Sequence, residues 1–365
     1  MNKDIAYYID DEEKKAKKMA RRLSEINGLD VRHLLPTPDL SVKEIDGETA
    51  LFFVDYELDK VNPSAPTTVP VTYKGGAFAQ QLRDKFPDHP IVLVTKESIF
   101  DVEAGERYVQ SQSIFDTFIS KSEMSGSPEL VVEKALILIE GFSCLRHAAK
   151  TWDSFLDALQ ADSEEGIAIG EAAAPIEKSK NNWTWNVLYT AKWVSNILLE
   201  YPGILLDSLH AATFLGISQE SFLENTSLQS LIEKARYQGV FAPKEGRWWK
   251  SRLREIAYDV RDETQIRGDI NSCFAPAFFQ KTGEQLSPSV CVFSGESPAD
   301  WVCYVLKEPV KISYSLLYYP DSRPAIMDDA RVSFRAIRNN NDVFENFFPP
   351  SNKELIEQIR SNIDD

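Results

Sequence analysis

Along the first 140 residues, short apolar runs alternate with longer amphipathic stretches. The runs lie at 5–9, 31–35, 50–54, 91–94 and 117–120. Runs this short, built largely from Ile, Val, Leu and Phe, predict strands buried on both faces. Between them, residues 12–26, 76–86 and 129–142 carry apolar positions at helical spacing, and 98–112 does so more weakly. This alternation predicts an α/β fold for residues 1–142, a (βα)5 doubly wound parallel sheet. In such a sheet the carboxyl ends of the strands share one edge, where function collects.

Residues 59–75 hold Pro63, Pro66 and Pro70 and read as an exposed loop. Beyond 142 the pattern is mostly helical to about 262, with a polar, Ala-rich break at 162–180 that reads as a linker or loop. From 289 onward, β-branched and aromatic runs at 290–293, 301–306, 312–319 and 331–337 predict a small antiparallel sheet, and 352–363 a final helix. The expected division is 1–142, a mostly helical region 143–285, and a small α+β region 286–365. No internal repeat or low-complexity tract stands out.

Charge narrows the partners. With 56 acidic against 40 basic residues, the net charge is -16, which disfavours a chain whose whole surface clamps nucleic acid or anionic lipid. Four scattered cysteines with no CxxC pair fit reduced, mostly buried thiols better than zinc or disulfides. The amino terminus turns acidic too early for a secretory signal. The most apolar later stretch, 186–206, is broken by Lys192, Asn196, Glu200 and Pro202, so no membrane span is expected. These features predict a soluble, cytoplasmic protein.

The predicted strand ends carry the chemistry. The first ends in Asp10-Asp11-Glu12, the third in Asp55, the fourth in Thr95 and the fifth in Lys121. Converging carboxylates repel one another, and a hard divalent cation relieves that repulsion; magnesium suits an all-oxygen site. A cation there also neutralises an incoming phosphoryl group for in-line attack by a carboxylate. A hydroxyl and an ammonium complete the grip on phosphoryl oxygens.

The set Tyr8-Ile9-Asp10-Asp11-Glu12, Phe53-Val54-Asp55, Val92-Leu93-Val94-Thr95 and Phe118-Ile119-Ser120-Lys121 resembles response-regulator receiver domains over residues 3–142. The resemblance implies that Asp55 is the phospho-acceptor. It implies that Asp10 and Asp11 hold magnesium together with Asp55 and the main-chain carbonyl of Glu57. Thr95 matches the hydroxyl that moves toward the phosphoryl group, Lys121 its paired cation, and Phe118 the aromatic whose burial changes as the hydroxyl moves. A histidine kinase or phosphotransfer protein is then the expected donor, with an effector protein or effector region downstream; a homodimer stays open. Three features depart from the family: Lys96 replaces a small residue after Thr95, Ser122 replaces proline after Lys121, and the loop after Asp55 is longer and lacks Met-Pro.

Beyond residue 142 the signals are weaker. His147 reads as an ordinary helix histidine, and His33, His89 and His210 have no ligand-like company. Residues 211–218 resemble a helix-turn-helix, yet the second helix would present Glu220 and Glu224 and no Lys or Arg before Lys234, which repels phosphates. The basic cluster at 234–254, interleaved with Trp248 and Trp249, reads as core tryptophans beside a solvated helix face, with a ligand or nucleic-acid surface as the sharper alternative. Two rival readings of the chain remain: a DNA-binding transcriptional regulator acting through residues 205–255, and a receiver-fold scaffold that is not phosphorylated. No separate catalytic site is evident after residue 142.

Overall fold

The protein is described by a computed structural model covering residues 3–37, 42, 45, 47–58, 74–96, 114–148, 151–171, 176–179, 182–319, 323–339 and 348–361. The chain forms two compact units, Met1–Thr151 with Glu177–Lys192, and Trp152–Ile176 with Trp193–Asp365.

The first unit is built on β1 (Asp4–Ile9), β2 (Leu29–Leu34), β3 (Thr49–Asp55), β4 (Ile91–Thr95) and β5 (Thr117–Ser120). All neighbours pair in parallel, in the order β2-β1-β3-β4-β5. The order reverses between β1 and β3, which opens a crevice at their carboxyl ends. Helices α1 (Glu13–Ser24), α2 (Gly75–Lys85), α3 (Lys121–Gly126) and α4 (Pro128–His147) accompany the sheet, and the unit also takes in nearly all of the helix Val187–Trp193.

Strand parity sorts the core into two layers. Ala6, Tyr8, Leu51, Phe53, Val92 and Val94 pack on one face with α1 and α4. Tyr7, Ile9, Phe52, Val54, Ile91 and Leu93 pack on the other with Phe78, Ala79 and Leu82 of α2. α1 buries Ala16, Ala20 and Leu23 at i, i+4 and i+7 and leaves its lysines and arginines outside. α4 opens on Pro128, whose fixed φ and missing N–H suit a first helical position. The fully buried Phe52 and Phe53 each contribute roughly 2–3 kcal/mol of apolar burial. A buried ion pair ties α2 to the start of β5: Arg83 Nη2 lies 2.8 Å from Asp116 Oδ2, and the guanidinium also donates to the carbonyls of Pro87, His89 and Ile114. The expected helix at 98–112 and nearly all of the loop at 59–75 lie outside the described residues.

The second unit has one core around the helices Ser208–Phe214, Gln219–Glu224, Thr226–Ile232, Lys250–Thr264 and Ile270–Thr282, filled by Phe222, Trp248, Phe274 and Phe278. A second core gathers Cys291, Cys303, Val310, Tyr318, Val332 and Ile356. Two expectations are corrected here. Much of the break at 162–180 is ordered: Ser163–Glu171, in this unit, is helical, and Ile176–Ser179, nearly all of it in the first unit, pairs with Asn182–Trp185. The cause of the helix is local, since the Asp162 carboxylate accepts the N–H groups of Glu164 and Glu165, and the Glu165 carboxylate accepts that of Asp162.

The single antiparallel sheet expected after 289 is instead two short ladders, Trp301–Val302 with Pro309–Val310 and Ser315–Tyr318 with Ala330–Ser333. The apolar runs at 290–293 and 303–306 form turns. Cys291 N–H donates to Glu296 O and Gly295 N–H to Cys291 O; Cys303 and Glu308, with Lys307, repeat the same two bonds. Gly295 and Lys307 both take positive φ, +72° and +51°. Both thiols accept backbone N–H groups, Cys291 from Lys311, and Cys303 from Leu306 and Ser333. This six-residue turn is thus used twice, a repetition too short to stand out in sequence. Residues 334–337 also leave the ladder: Ser333 Oγ accepts Ala336 N–H and starts the helix Phe334–Asn339.

Candidate functional site

The carboxyl edge of the sheet brings together Asp10, Asp11, Asp55 and Lys121. Asp55 is the last residue of β3 and only 3% exposed; Asp10 follows β1 and is 2% exposed. Lys121 is fixed by a capping box at the start of α3, in which Ser120 Oγ accepts Glu123 N–H and the Glu123 carboxylate accepts Ser120 N–H. Its ammonium bridges two acids, donating to Asp55 Oδ2 at 2.6 Å and Asp10 Oδ2 at 2.9 Å.

The three carboxylates are not equivalent. Asp10 is the most fully bonded: besides Lys121, Oδ2 accepts the Tyr8 hydroxyl at 2.6 Å, and Oδ1 accepts Glu12 N–H at 2.7 Å, which leaves a lone pair on Oδ1. Asp11 has both oxygens buried and, among the described residues, without a hydrogen-bond partner. One oxygen from each of Asp10, Asp11 and Asp55 lies within 4.8 Å of the others.

The electrostatics follow from this geometry. Burial, reinforced by the negative charge of Asp10, pushes the Asp11 carboxyl up to about 6. Burial likewise pushes Asp55 up to about 6, with Lys121 pulling against it and Asp10 adding to it. Burial also acts on Asp10, but Lys121 and the Tyr8 and Glu12 hydrogen bonds outweigh it and hold the carboxyl below its usual range. Lys121 is held above the usual lysine range, because Asp10 and Asp55 outweigh its own burial. Among the described residues one lysine therefore bonds two of three clustered acids, and the uncompensated charge sits on Asp11. A buried carboxylate with two open oxygens beside two more acids is a donor set that fits a hard divalent cation.

The other expected residues surround this centre. Thr95 ends β4, half-buried beside Ser120. Phe118 is half-buried in β5 opposite Leu93 and packs on the α2 side of the sheet. Glu57 N–H donates to the Asp55 carboxylate, and its side chain lies 3.9 Å from the Lys96 ammonium. Lys96 is exposed and turned toward Glu57. Gly75 stands over the acceptor: its N–H donates to Tyr56 O, and a Cβ there would come within 2.0 Å of Asp55 O.

Two contributors escaped the sequence reading. Tyr8 reaches Asp10 because residues i and i+2 of a strand share a face, a signal that was legible. His33, on β2, places Nε2 2.9 Å from the Asp10 carbonyl oxygen, which depends on strand pairing and leaves no local trace.

With its strand order and parallel pairing, the first unit has a receiver fold. Similar solved structures include a CheY-like receiver domain protein from Methanospirillum hungatei JF-1 (15% identity, 39% of this chain, 98% of that one, TM-score 0.29). They also include the receiver domain of NtrX from Brucella abortus (22% identity, 36% and 97%, TM-score 0.28) and that of the Francisella response regulator 1452 (15% identity, 38% and 97%, TM-score 0.28). No family model and no curated protein matches the chain. Among the described residues no helix is long and apolar enough to cross a membrane.

Outside the receiver edge, the weaker candidates resolve locally. His147 Nδ1 lies 2.7 Å from Ser143 O one helical turn back. In the helix-turn-helix segment Gly216 has φ +73°, and a Cβ there would collide with Asn271 O, so the turn is set by close packing on the helix Ile270–Thr282. Trp248 and Trp249 are core. Of the basic cluster, Arg252 pairs with the buried Glu165 at 2.9 Å, Lys250 with Asp328 at 2.6 Å, and Arg247 donates to Leu199 O. His210 does have company: Nδ1 lies 2.9 Å from both oxygens of Asp207, an i, i+3 acid–histidine pair that the sequence carried and the reading passed over.

Proposed function

We propose that this chain is a phosphorylation-controlled response regulator of a two-component system, with Asp55 as the phospho-acceptor. The observation that carries the reading is the buried Asp11 carboxylate, unpaired among the described residues, beside Asp10 and Asp55, with Lys121 bridging the latter two. That is an edge short of positive charge, open to a cation and to a phosphoryl group.

In this reading an Asp55 oxygen attacks the phosphorus of a phosphohistidine on a kinase or phosphotransfer partner. The new O–P bond forms as the N–P bond breaks, and the imidazole leaves. Magnesium, held by Asp10, Asp11, Asp55 and the Glu57 carbonyl, would supply charge neutralisation at the phosphoryl oxygens. Lys121 transfers its ammonium from the carboxylates to a phosphoryl oxygen, a charge-assisted bond of the same kind. Thr95 supplies the second contact, and Phe118 repacks as Thr95 moves, which shifts the population between two packings. Residues 143–365 are the effector or protein-interaction region in a cytoplasmic protein.

The test is beryllofluoride, a phosphoryl mimic, added with magnesium while amide shifts at the β4 and β5 ends are followed by NMR. The reading expects shifts at Thr95, Phe118 and Lys121 that vanish in Asp55→Asn. Unchanged spectra in the wild type would overturn it.

A further inference from the structure

Tyr8 lies on β1, two residues before Asp10, and is only 3% exposed. Its side chain belongs to the apolar layer that holds Ala6, Val31, Leu51 and Phe53. A phenylalanine would fill that slot equally well and would bury no polar atom. The hydroxyl therefore needs its own account. It donates to Asp10 Oδ2 at 2.6 Å, because alternate residues of an extended chain share a face.

The lone pairs of Asp10 show what that bond does. Oδ2 takes two donors, the Tyr8 hydroxyl and the Lys121 ammonium at 2.9 Å, which fills both of its lone pairs. Oδ1 takes the Glu12 N–H at 2.7 Å and keeps one lone pair. The oxygen of Asp10 left for a cation is therefore Oδ1. The main chain of Asp10 is held separately, since His33 Nε2 on the neighbouring strand donates to its carbonyl oxygen at 2.9 Å. Tyr8 thus acts on the carboxylate, not on the strand.

Lys121 is a temporary partner in the phosphorylation reading, on which this inference rests. Once its ammonium leaves for a phosphoryl oxygen, Oδ2 keeps the Tyr8 hydroxyl and Oδ1 the Glu12 N–H. Donors on both oxygens pin the plane of a carboxylate, whereas Glu12 alone would let it turn about χ2.

We propose that Tyr8 is a positioning residue of the acidic edge. Its hydroxyl occupies Asp10 Oδ2, reserves Oδ1 for the cation, and holds the carboxylate in place when Lys121 moves. Hydrogen-bond partners standing directly behind a metal ligand change metal affinity by about 10–100-fold.

The test compares wild type, Tyr8→Phe and Ser24→Ala as full chains. Ser24 lies in the same unit; its hydroxyl accepts Val31 N–H at 2.7 Å and donates to Ala20 O at 2.9 Å. Ser24→Ala therefore loses hydrogen bonds without touching Asp10. Magnesium is titrated into each protein and read from the amide shifts of Asp11 and Glu12. Beryllofluoride is then titrated at saturating magnesium. Tyr8→Phe is expected to bind magnesium about tenfold more weakly, and beryllofluoride about tenfold more weakly as well. Ser24→Ala is expected to lose stability in urea and to match wild type in both titrations. Unchanged affinity for either probe in Tyr8→Phe would overturn the proposal. So would tighter magnesium binding, the sign expected if the hydroxyl merely drew charge from Asp10. An equal loss in Ser24→Ala would also overturn it, as a general effect of loosened packing. Failure of the phosphorylation reading looks different: wild type itself then takes up no beryllofluoride, and the proposal falls with it.

Discussion

Replacing Asp11 by Asn is expected to stabilise the metal-free protein at neutral pH, although it deletes a proposed metal ligand. Asp11 is raised from 3.8 to about 6 by burial and by Asp10. The folded state therefore binds a proton more tightly than the unfolded chain does. At pH 7 the full shift corresponds to roughly 3 kcal/mol, at ~1.4 kcal/mol per tenfold in proton affinity, and solvent screening of a half-buried residue reduces the cost to about 2 kcal/mol. That cost builds up as pH rises from about 4 to about 6 and disappears below the unfolded value, so metal-free stability falls with rising pH in that window. Asn removes the charge but leaves a buried amide without an assured partner, which returns ~1 kcal/mol. The net gain is about 1 kcal/mol at pH 7 and turns into a loss of under about 1 kcal/mol near pH 4, where only the amide cost is left. The assay is urea denaturation of both proteins in EDTA at pH 7 and pH 4, repeated in magnesium. A ligand at a hundredfold over its Kd adds about 2.7 kcal/mol, so magnesium is expected to lift the wild type past Asp11→Asn. The reasoning is refuted if Asp11→Asn is the less stable protein in EDTA at pH 7, or if magnesium raises both equally.

Gly75→Ala is expected to destabilise by about 3 kcal/mol, because the clash is with backbone that cannot swing away; its melting temperature checks this. Arg83→Met strands the buried Asp116 carboxylate and three carbonyls, and a loss of about 3–5 kcal/mol is expected in denaturant unfolding. Tyr8→Phe keeps the ring packing and removes one donor from Asp10, a cost of about 1–2 kcal/mol, to be read from the same titration. Lys121→Met removes the ammonium that bridges Asp10 and Asp55, so their proton affinities are expected to rise; carboxyl 13C shifts followed against pH would report it.

The receiver unit was legible because its signals are local. Four or five apolar residues in succession, as in Leu51–Val54 and Ile91–Val94, can only be buried on both faces, and the polar residue ending each run marks the functional edge. Asp10, Asp11, Asp55 and Lys121 meet there as a consequence of topology alone. The heavy bonding of Asp10 and the isolation of Asp11 were not legible, since they depend on which lone pairs Tyr8, Glu12 and Lys121 fill. In the second unit the reading failed where side chains commandeer the backbone. The Asp162 cap turns a polar stretch into a helix, and the Cys291 and Cys303 turns fold apolar runs that would otherwise extend. Propensity reads Val, Phe and Tyr as strand formers, but a positive φ at Gly295 or Lys307 reverses the chain whatever precedes it.

The central claim, that Asp55 accepts a phosphoryl group, is tested most directly by intact-mass analysis after incubation with acetyl phosphate and magnesium. The account predicts a single phosphoryl-sized gain that maps to the peptide containing Asp55, requires magnesium and is absent from Asp55→Asn. A wild-type mass that stays unchanged while the same donor labels a control receiver, or a gain that persists in Asp55→Asn, would contradict it.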